Sequence, residues 1–273
     1  MRVRQALAGA QSAGLPRLDA QLLLCHLLRQ TRAWLIAHDD ETLSPLQAQA
    51  WQGLLARRLA GEPLAYIVGQ QGFYGLVLAV SPDVLVPRPE TELLVDWALE
   101  RLPTAPAASV IDLGTGSGAV ALAIKQAAGN AEVTATDASP AALALAQSNA
   151  AQLGMTLGFA SGSWWYAVPQ RRFGLAVSNP PYIAGTDAHL QALQHEPRMA
   201  LTPEGDGLDA LRTIIEGAPR HLLPGAWLLL EHGHDQAQAV QSLLLAHGFG
   251  PPQTRHDLAG LPRCTGAAWF DTN

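Results

Sequence analysis

The chain has 273 residues, of which 48% are hydrophobic and 15% are charged, and its formal net charge is −6. This composition is typical of a globular protein with a sizeable core, and the acidic balance argues against general nucleic-acid binding. No apolar run is long enough to span a bilayer, so we expect a cytoplasmic protein without membrane contact. The two cysteines, Cys25 and Cys264, lack metal-ligand spacing, so we expect reduced thiols and no metal site.

The charge is distributed unevenly along the chain. Residues 1–61 contain seven arginines against four acidic residues, a surplus of three positive charges, so the remainder carries about −9. This asymmetry is compatible with a basic face for an acidic or RNA-like partner, and equally with ordinary solvation of the surface.

Residues 1–61 are predicted to be helical. Ser44 followed by Pro45 is typical of an N-cap with proline at the first helical position, and Gly61 favours the end of that helix. Apolar residues at helical spacing predict the buried face, which comprises Leu46, Ala50, Leu54, Leu55 and Leu59.

The pattern then changes twice. Glycines and β-favouring residues over 66–86 predict one or two hairpins, and P-R-P-E-T-E at 87–92 predicts the start of a helix. After residue 107, strands and helices alternate, which predicts a largely parallel sheet with helices on both faces. The predicted strands are 109–113, 132–137, 157–160, 173–178 and 226–231, with a final pair at 254–258 and 267–271; helices are predicted to 128 and over 140–153, 208–222 and 235–247.

A glycine-rich segment, D-L-G-T-G-S-G at 112–118, joins a predicted strand to a helix. Glycines permit a tight turn there, and the free N–H groups of the helix suit a polar ligand. Asp137 ends the next strand, where an acidic side chain can bind both hydroxyls of an adenosine ribose or can cap the following helix. The G-x-G-x-G spacing resembles the first motif of S-adenosylmethionine-dependent methyltransferases, with NAD as the alternative cofactor.

A second segment, S-N-P-P-Y at 178–182, ends another predicted strand. Asn179 offers a side-chain carbonyl, Pro180 a rigidly held backbone carbonyl and Tyr182 a ring against which a planar group can pack. Two such acceptors can orient a planar NH2 nitrogen for methyl transfer. The alternative is a turn that ends the strand with a local asparagine cap.

These segments together resemble the HemK/PrmC family of protein-glutamine methyltransferases. The resemblance extends to G-E-P-L-A-Y-I at 61–67, V-L-V-P-R-P-E-T-E at 84–92, H-E-P-R-M-A-L at 195–201, L-L-L-E-H-G at 228–233 and D-L-A-G-L-P-R at 257–263. It implies an α/β fold: a seven-stranded Rossmann-like methyltransferase domain at 89–273, a small helical substrate-recognition domain at 1–62 and a β-hairpin linker at 63–88.

The resemblance also implies the activity. The expected reaction transfers a methyl group from S-adenosyl-L-methionine to the side-chain amide nitrogen of the glutamine in the Gly-Gly-Gln motif of class I peptide-chain release factors. The protein is expected to act as a monomer and to bind no nucleic acid directly. The implied cofactor-binding residues are Gly114, Thr115, Gly116, Ser117, Gly118, Asp137, Trp164 and Asn179, with Trp165 as an alternative to Trp164. Asn179, Pro180 and Tyr182 are the implied catalytic residues, and Pro181 joins them in binding the substrate.

Some residues and functions keep two interpretations. Arg88 and Glu90 either face the substrate or begin a helix, and we expect a structural role for His195 and Glu196. The alternative functions are methylation of a glutamine in a large-subunit ribosomal protein, methylation of adenine in DNA, and a non-catalytic S-adenosylmethionine-binding module.

Overall fold

A computed structural model describes residues 1–103 and 108–270, and the chain forms two compact units, Met1–Gln70 and the chain from Gln71 onward. The helices are α1 Val3–Ser12, α2 Arg17–Leu28, α3 Arg32–Ala37, α4 Pro45–Leu59, α5 Leu64–Val68, α6 Glu92–Arg101, α7 Ala119–Ala127, α8 Pro140–Gln152, α9 His189–Ala192, α10 Arg198–Leu201, α11 Asp209–Gly217 and α12 Ala237–Ala246. The strands are β1 Gln70–Phe73, β2 Leu76–Ala79, β3 Ser109–Leu113, β4 Glu132–Asp137, β5 Gly158–Ser161, β6 Phe173–Ser178, β7 Leu222–Glu231, β8 Gln253–His256 and β9 Pro262–Ala268. Short 3-10 helices cover Pro89–Thr91, Trp164–Ala167 and Ala218–Arg220.

The first unit packs α1 to α5 around its own apolar core. The predicted start of α4 is confirmed: the Ser44 hydroxyl accepts from the Gln47 N–H, the Gln47 side chain accepts from the Ser44 N–H, and Pro45 is the first helical residue. This reciprocal capping satisfies backbone donors that have no partner within the helix.

The predicted buried face of α4 is wrong in part. Trp51 and Leu55 are the buried residues of this helix, whereas Leu46 is 77% exposed and Leu59 is 46% exposed. Trp51 and Leu55 are four residues apart and therefore share one face of the helix. The large indole of Trp51 fills the space that the leucine pattern assigned to other side chains.

The second unit begins within a β-hairpin, β1–β2, whose turn is Tyr74–Gly75. The prediction of strand structure from Tyr66 is wrong for residues 66–68, which belong to α5, and Val84 and Val86 are buried outside any strand. Gly69, with φ of 78°, ends α5 in the left-handed conformation that glycine adopts most easily, so the strand begins one residue later.

Within the described residues, seven strands form one sheet in the order β5-β4-β3-β6-β7-β9-β8, and β9 runs in the direction opposite to the other six. The predicted strands β3, β4 and β6 are confirmed at both ends, and β5 is shifted by one residue. The strand β7 begins four residues earlier than predicted because α11 ends at Gly217 and a 3-10 helix containing Pro219 follows. The final strands lie at 253–256 and 262–268; position 271 of the predicted pair lies outside the described residues.

Alternate residues of the central strands pack into two separate apolar cores. Val110 and Leu229 contribute to the core that includes α6 and α7, whereas Ile111 and Leu228 contribute to the core that includes α11 and α12. Because successive side chains of a strand point to opposite faces, the sheet is covered on both sides, as predicted. No described helix is long and apolar enough to cross a membrane.

Candidate active site

A cavity of about 280 Å³ lies at the carboxyl ends of β3, β4 and β6, all within the second unit. In parallel sheets this edge is the usual position of ligand sites, because the loops that follow the strands converge there. Eight residues predicted from the sequence lie in its wall: Gly114, Thr115, Gly116, Ser117, Asp137, Trp164, Asn179 and Pro181. The other three predicted residues, Gly118, Pro180 and Tyr182, do not line it.

The glycine loop is held open by backbone conformation. Gly114, Gly116 and Gly118 have φ of 75°, 56° and 86°, the left-handed region in which side chains are strained. The N–H groups of Gly114 and Thr115 both donate to the carbonyl of Thr136, at 2.9 and 2.8 Å. These bonds fix the loop against the neighbouring strand β4.

Gly118 serves packing rather than the cavity. A Cβ on Gly118 would lie 3.0 Å from a methyl carbon of Leu122 and 3.2 Å from the Cβ of Ala146 on α8. A Cβ on Gly116 would meet no protein atom within 4 Å. Gly118 therefore permits close approach of α7 and α8, and Gly116 leaves room beside the loop.

Asp112 fixes the same loop from beneath. Its carboxylate accepts from the Thr115 hydroxyl at 2.7 Å and from the Ala121 N–H at 3.2 Å. The side chain is almost fully buried, and this desolvation raises its pKa to about 7. Asp112 therefore links the loop to the first turn of α7.

Asp137 presents its carboxylate between the loop and α8. One oxygen accepts from the Gly116 N–H at 2.9 Å and the other from the Ser139 N–H at 2.8 Å. Burial raises the pKa of this carboxyl above its ordinary value, with backbone hydrogen bonds acting in the opposite direction. Each oxygen retains a further lone pair, so the carboxylate can also accept from ligand hydroxyls.

Trp164 and Trp165 have different environments. The indole of Trp164 lines the cavity, and a Cβ on Gly114 would lie 3.2 Å from it. Trp165 is buried: its Nε1 donates to the carbonyl of Ile214 at 2.8 Å and its ring stacks on His221. Of the two tryptophans, only Trp164 is placed to contact a ligand.

Asn179 directly follows β6 and lines the same cavity as the glycine loop, which follows the neighbouring strand β3. Its Nδ2 donates to the Thr91 hydroxyl oxygen at 3.1 Å. An amide group that donates on one side presents its carbonyl oxygen on the other. The neighbouring Ser178 hydroxyl donates to the carbonyl of Leu113 at 2.6 Å, which ties the ends of β6 and β3 together.

Tyr182 supports the segment from below. Its ring packs against the second core, and its hydroxyl donates to Oε1 of Glu231 at 3.3 Å. Burial raises the pKa of this phenol. The Tyr182 carbonyl accepts from Nε2 of Gln236 at 3.0 Å, so the backbone is held as well as the ring.

The cavity residues that were not predicted as ligand contacts include Thr91, Asp112, Ser139 and Met199. Thr91 follows Glu90 in the P-R-P-E-T-E segment, so that motif was the available signal. Met199 lies in α10 and belongs to the H-E-P-R-M-A-L segment at 195–201, so that segment was the available signal.

Arg88 also lines the cavity, and its guanidinium pairs with the buried Glu196. The second oxygen of Glu196 accepts from the Val86 N–H at 3.0 Å. The predicted structural role of Glu196 is therefore confirmed, since this carboxylate joins residues 86–88 to the segment before α10. Glu90 is exposed and does not line the cavity.

The cavity wall carries groups that suit an adenosine-type cofactor. The glycine loop leaves open space beside Gly116, the Asp137 carboxylate provides a hydroxyl acceptor and the Trp164 indole provides an aromatic face, all in one cavity. Among the described residues, no group of three or more histidine, cysteine, aspartate or glutamate side chains is placed to hold a metal ion.

Two family models match the chain. The PrmC N-terminal domain matches residues 2–69, and the methyltransferase small domain matches residues 91–207. The second match contains both the glycine loop and the N-P-P-Y segment.

Solved structures share the fold at low sequence identity. A methyltransferase from Pyrococcus furiosus is 17% identical, with a TM-score of 0.57, over 81% of this chain and 100% of that chain. A Thermus thermophilus 16S rRNA N2 G1207 methyltransferase in complex with AdoMet and guanosine is 21% identical, with a TM-score of 0.56, over 73% of this chain and 49% of that chain. These similarities support the methyltransferase fold.

Sequence relatives are much closer. A release factor glutamine methyltransferase of Bordetella pertussis is 52% identical over 93% of this chain and 95% of the relative. One from Coxiella burnetii is 49% identical over 91% of this chain and 90% of the relative. With this identity over nearly the full length of both chains, the protein belongs to the release factor glutamine methyltransferase family.

Proposed function

We propose that this methyltransferase modifies the side-chain amide nitrogen of the glutamine in the Gly-Gly-Gln motif of class I peptide-chain release factors. The enzyme uses S-adenosyl-L-methionine as its methyl donor, as its family does. The observation that carries the proposal is the orientation of Asn179. Its Nδ2 donates to the Thr91 hydroxyl, and we place its carbonyl oxygen toward the cavity that Asn179 and the glycine loop both line.

The chemistry requires orientation more than a strong base. An amide NH2 has two N–H donors and a delocalised lone pair, so it is a weak nucleophile. The Asn179 carbonyl oxygen accepts one N–H, and the backbone carbonyl of Pro180 is proposed to accept the other. Together they hold the nitrogen in line with the methyl group, and alignment supplies much of the rate.

The cofactor supplies an electrophilic methyl group on a positively charged sulfur. The new N–C bond forms as the C–S bond breaks, and the bonding electrons remain on sulfur. The nitrogen then releases one proton to solvent water, because the Asn179 and Pro180 carbonyls accept hydrogen bonds but are too weakly basic to keep the proton.

The remaining predicted residues divide by position. Gly114, Thr115, Gly116 and Ser117 are proposed to contact the cofactor, with Asp137 on the ribose hydroxyls and Trp164 beside the adenine. Gly118 supports them through helix packing. Pro181 is proposed to contact the substrate because it lines the cavity, whereas Tyr182 acts from beneath.

The domain roles follow the same proposal. Residues 1–62 are assigned to recognition of the release factor, 63–88 to a linker and 89–273 to catalysis. The proposed substrate acts in translation termination, so we place the enzyme in the cytoplasm. We also propose that it acts as a monomer.

Methyl transfer from tritiated S-adenosyl-L-methionine tests the proposal. Four acceptors are compared: unmethylated release factor, the same factor with Gln→Ala in its Gly-Gly-Gln motif, large-subunit ribosomal protein and duplex DNA. We expect label in the intact release factor alone. Label in ribosomal protein or in DNA would show that this molecule, rather than a release factor, is the substrate. Cofactor binding without transfer to any acceptor would favour a non-catalytic module.

A further inference from the structure

Gln236 lies immediately before α12, and its side chain makes no capping bond to that helix. Its Nε2 instead donates to the Tyr182 carbonyl oxygen at 3.0 Å and has a second, long contact of 3.5 Å with the Gly207 carbonyl oxygen. Tyr182 lies near the start, and Gly207 near the end, of the connection between β6 and α11. One side-chain amide therefore ties the two ends of this connection together.

The direction of the Gln236 amide is fixed by its oxygen. Its Oε1 accepts from the Gly233 N–H at 2.8 Å, in the loop after β7. A backbone N–H can only donate, so the atom that faces it must be the oxygen, and the NH2 group must face the two carbonyls. The reversed amide would oppose donor to donor and acceptor to acceptor. The donor that reaches Tyr182 is therefore set by a third segment of the chain.

Gly207 shows how closely these segments approach each other. Its φ is 81°, and a Cβ at this position would overlap the Tyr182 carbonyl oxygen and lie 3.0 Å from Gln236 Nε2. A larger side chain at position 207 would therefore displace the hydrogen bond. The Tyr182 carbonyl is held in a site with little room to rotate.

The segment from Asn179 to Tyr182 needs such a bond because it has few donors of its own. Pro180 and Pro181 have no N–H, so neither can donate to a neighbouring strand. Each proline ring fixes φ, but ψ remains free, and the direction of the Pro180 carbonyl depends on ψ at that residue. This freedom is removed only when the chain is anchored on both sides of the prolines.

Both anchors are present. At the start of the segment, the Ser178 hydroxyl and the Asn179 Nδ2 donate to residues of other elements at 2.6 and 3.1 Å. At its end, the Tyr182 hydroxyl makes a long bond of 3.3 Å to Glu231, whereas the bond from Gln236 is shorter, at 3.0 Å, and holds the backbone itself. Gln236 is thus the anchor that acts directly on the main chain after the prolines.

We propose that Gln236 is a positioning residue for methyl transfer. By holding the Tyr182 carbonyl, it fixes the direction of the Pro180 carbonyl, the second proposed acceptor for the substrate NH2 group. Gln236 does not line the cavity, so it acts through the segment and not by contact with a ligand. This inference rests on the proposed function, because the Pro180 carbonyl receives its role there.

Two substitutions separate the donor of the Gln236 amide from its acceptor. Gln236→Met removes both at similar length, whereas Gln236→Glu keeps an acceptor for Gly233 but presents a carboxylate oxygen to the carbonyls. With release factor as acceptor, we expect each substitution to lower kcat by ~10-fold to ~100-fold, the loss that follows small misplacement of a reacting group. The Kd for S-adenosyl-L-methionine should change little. A wild-type kcat in Gln236→Glu would overturn the proposal, because the donor would then be dispensable.

Gln241→Met is the matched control. Gln241 lies on α12, is half-buried like Gln236, and its Nε2 also donates one side-chain hydrogen bond, to the Thr254 hydroxyl at 2.8 Å. Both methionine variants should therefore lower thermal stability by similar amounts, but only Gln236→Met should lower kcat. An equal loss of kcat in the two variants would assign Gln236 to general stability and overturn the proposal.

A double-mutant cycle tests whether Gln236 acts on the same NH2 group as Asn179. Groups that act as a unit do not have additive effects, because the second loss removes little once the first has occurred. In an Asn179→Ala background, Gln236→Met should therefore lower kcat by no more than about twofold. The same fold loss in both backgrounds would show that the two residues act independently and would overturn the proposal.

The Tyr182 carbonyl gives a readout that needs no acceptor protein. Tyrosine labelled with 13C at its carbonyl, combined with isoleucine labelled with 15N, gives linked NMR signals only at Tyr–Ile pairs, which occur at 66–67 and 182–183. The Tyr182 signal should shift in both Gln236 variants and stay in place in Gln241→Met, with the pair at 66–67 as the internal reference.

The two failures are distinguishable. An unmoved Tyr182 signal in both Gln236 variants would overturn the proposal even if release factor is methylated. If the signal shifts while wild-type enzyme labels no release factor, the proposed function fails and the role of Gln236 in methyl transfer falls with it, although the hydrogen bond stands.

Discussion

The backbone N–H of Gly116 donates to a carboxylate oxygen of Asp137 at 2.9 Å, across 21 residues of sequence. This bond ties the glycine loop after β3 to the end of β4, so the acidic side chain and the loop form one rigid wall. The geometry of the loop and the geometry of the Asp137 carboxylate depend on each other, because the carboxylate that orients the loop is also the proposed acceptor for the ribose hydroxyls.

Replacement of Asp137 is expected to weaken cofactor binding. Asp137→Ala removes hydrogen bonds to a charged group, each worth about 1.5–3 kcal/mol, so the Kd for S-adenosyl-L-methionine should rise by ~10-fold to ~100-fold. Isothermal titration calorimetry measures this directly. Glu132→Ala, an exposed residue at the other end of β4, is the control and should bind normally. Equal affinities of the two variants would remove Asp137 from the proposed ribose site.

Replacement of Asn179 is expected to affect catalysis rather than cofactor binding. Asn179→Ala should reduce kcat by ~10²–10³, comparable to the loss of one preorganised polar partner. Single-turnover transfer of tritiated methyl to release factor measures the rate. Asn130→Ala, an exposed residue in the turn before β4, serves as the control. A variant within a few-fold of wild type would show that Asn179 does not orient the acceptor.

The glycines of the loop should respond differently to alanine. Gly118→Ala introduces contacts of 3.0 and 3.2 Å in addition to strain at φ of 86°, so it should lower the free energy of unfolding by roughly 1 kcal/mol more than Gly116→Ala. Gly116→Ala places a methyl group beside the ligand and should weaken cofactor binding more. Denaturant unfolding and calorimetric titration of both variants measure the two effects. The reverse ranking would contradict the assignment of Gly118 to packing.

The ion pair of Glu196 should be structural. Its side chain is 2% exposed, and Glu196→Ala leaves both the Val86 N–H and the Arg88 guanidinium without their acceptor. Because the Arg88 side chain is 36% exposed and water can solvate it, we expect a loss of about 2 kcal/mol in unfolding free energy rather than the 3–5 kcal/mol of a fully buried pair. The exposed pair Arg198–Glu204 is the control, and Glu204→Gln should cause no measurable loss. Similar stability of the two variants would contradict this interpretation.

Glu231 should make stability depend on pH. Burial raises its pKa to about 7, while Thr91, Arg263 and Tyr182 lower it and Glu90 raises it further. Between its ordinary value and about 7, the folded protein retains a proton that the unfolded chain has lost. Stability should therefore fall as pH rises through this interval, by at most ~1.4 kcal/mol per pH unit from this group.

Glu231→Gln removes that contribution. The unfolding free energy of the variant, relative to wild type, should increase between pH 5 and pH 7, within the interval set by the raised pKa. Urea unfolding of both proteins at several pH values measures the difference. A constant difference across this range would show that Glu231 titrates normally.

Periodicity and local chemistry were sufficient to predict much of the fold. The strands β3, β4 and β6 were bounded correctly because Gly114, Pro140 and Pro180 follow them within three residues, and α4 was located by Ser44 and Pro45. The residues 66–68 were misassigned because a short apolar run has no distinguishing period. The buried face of α4 was misassigned because the prediction followed the leucines, whereas the helix buries Trp51 and Leu55.

The amino-acid sequence by itself determined the glycine loop, Asp137 and Asn179, because backbone freedom, charge and strand ends are local properties. The tertiary structure alone decided which tryptophan lines the cavity, that Gly118 packs helices, and that Thr91 bonds to Asn179. Thr91 and Asn179 are 88 positions apart, and such a separation is closed only when the strands of the sheet assemble in an order that differs from their order in the chain.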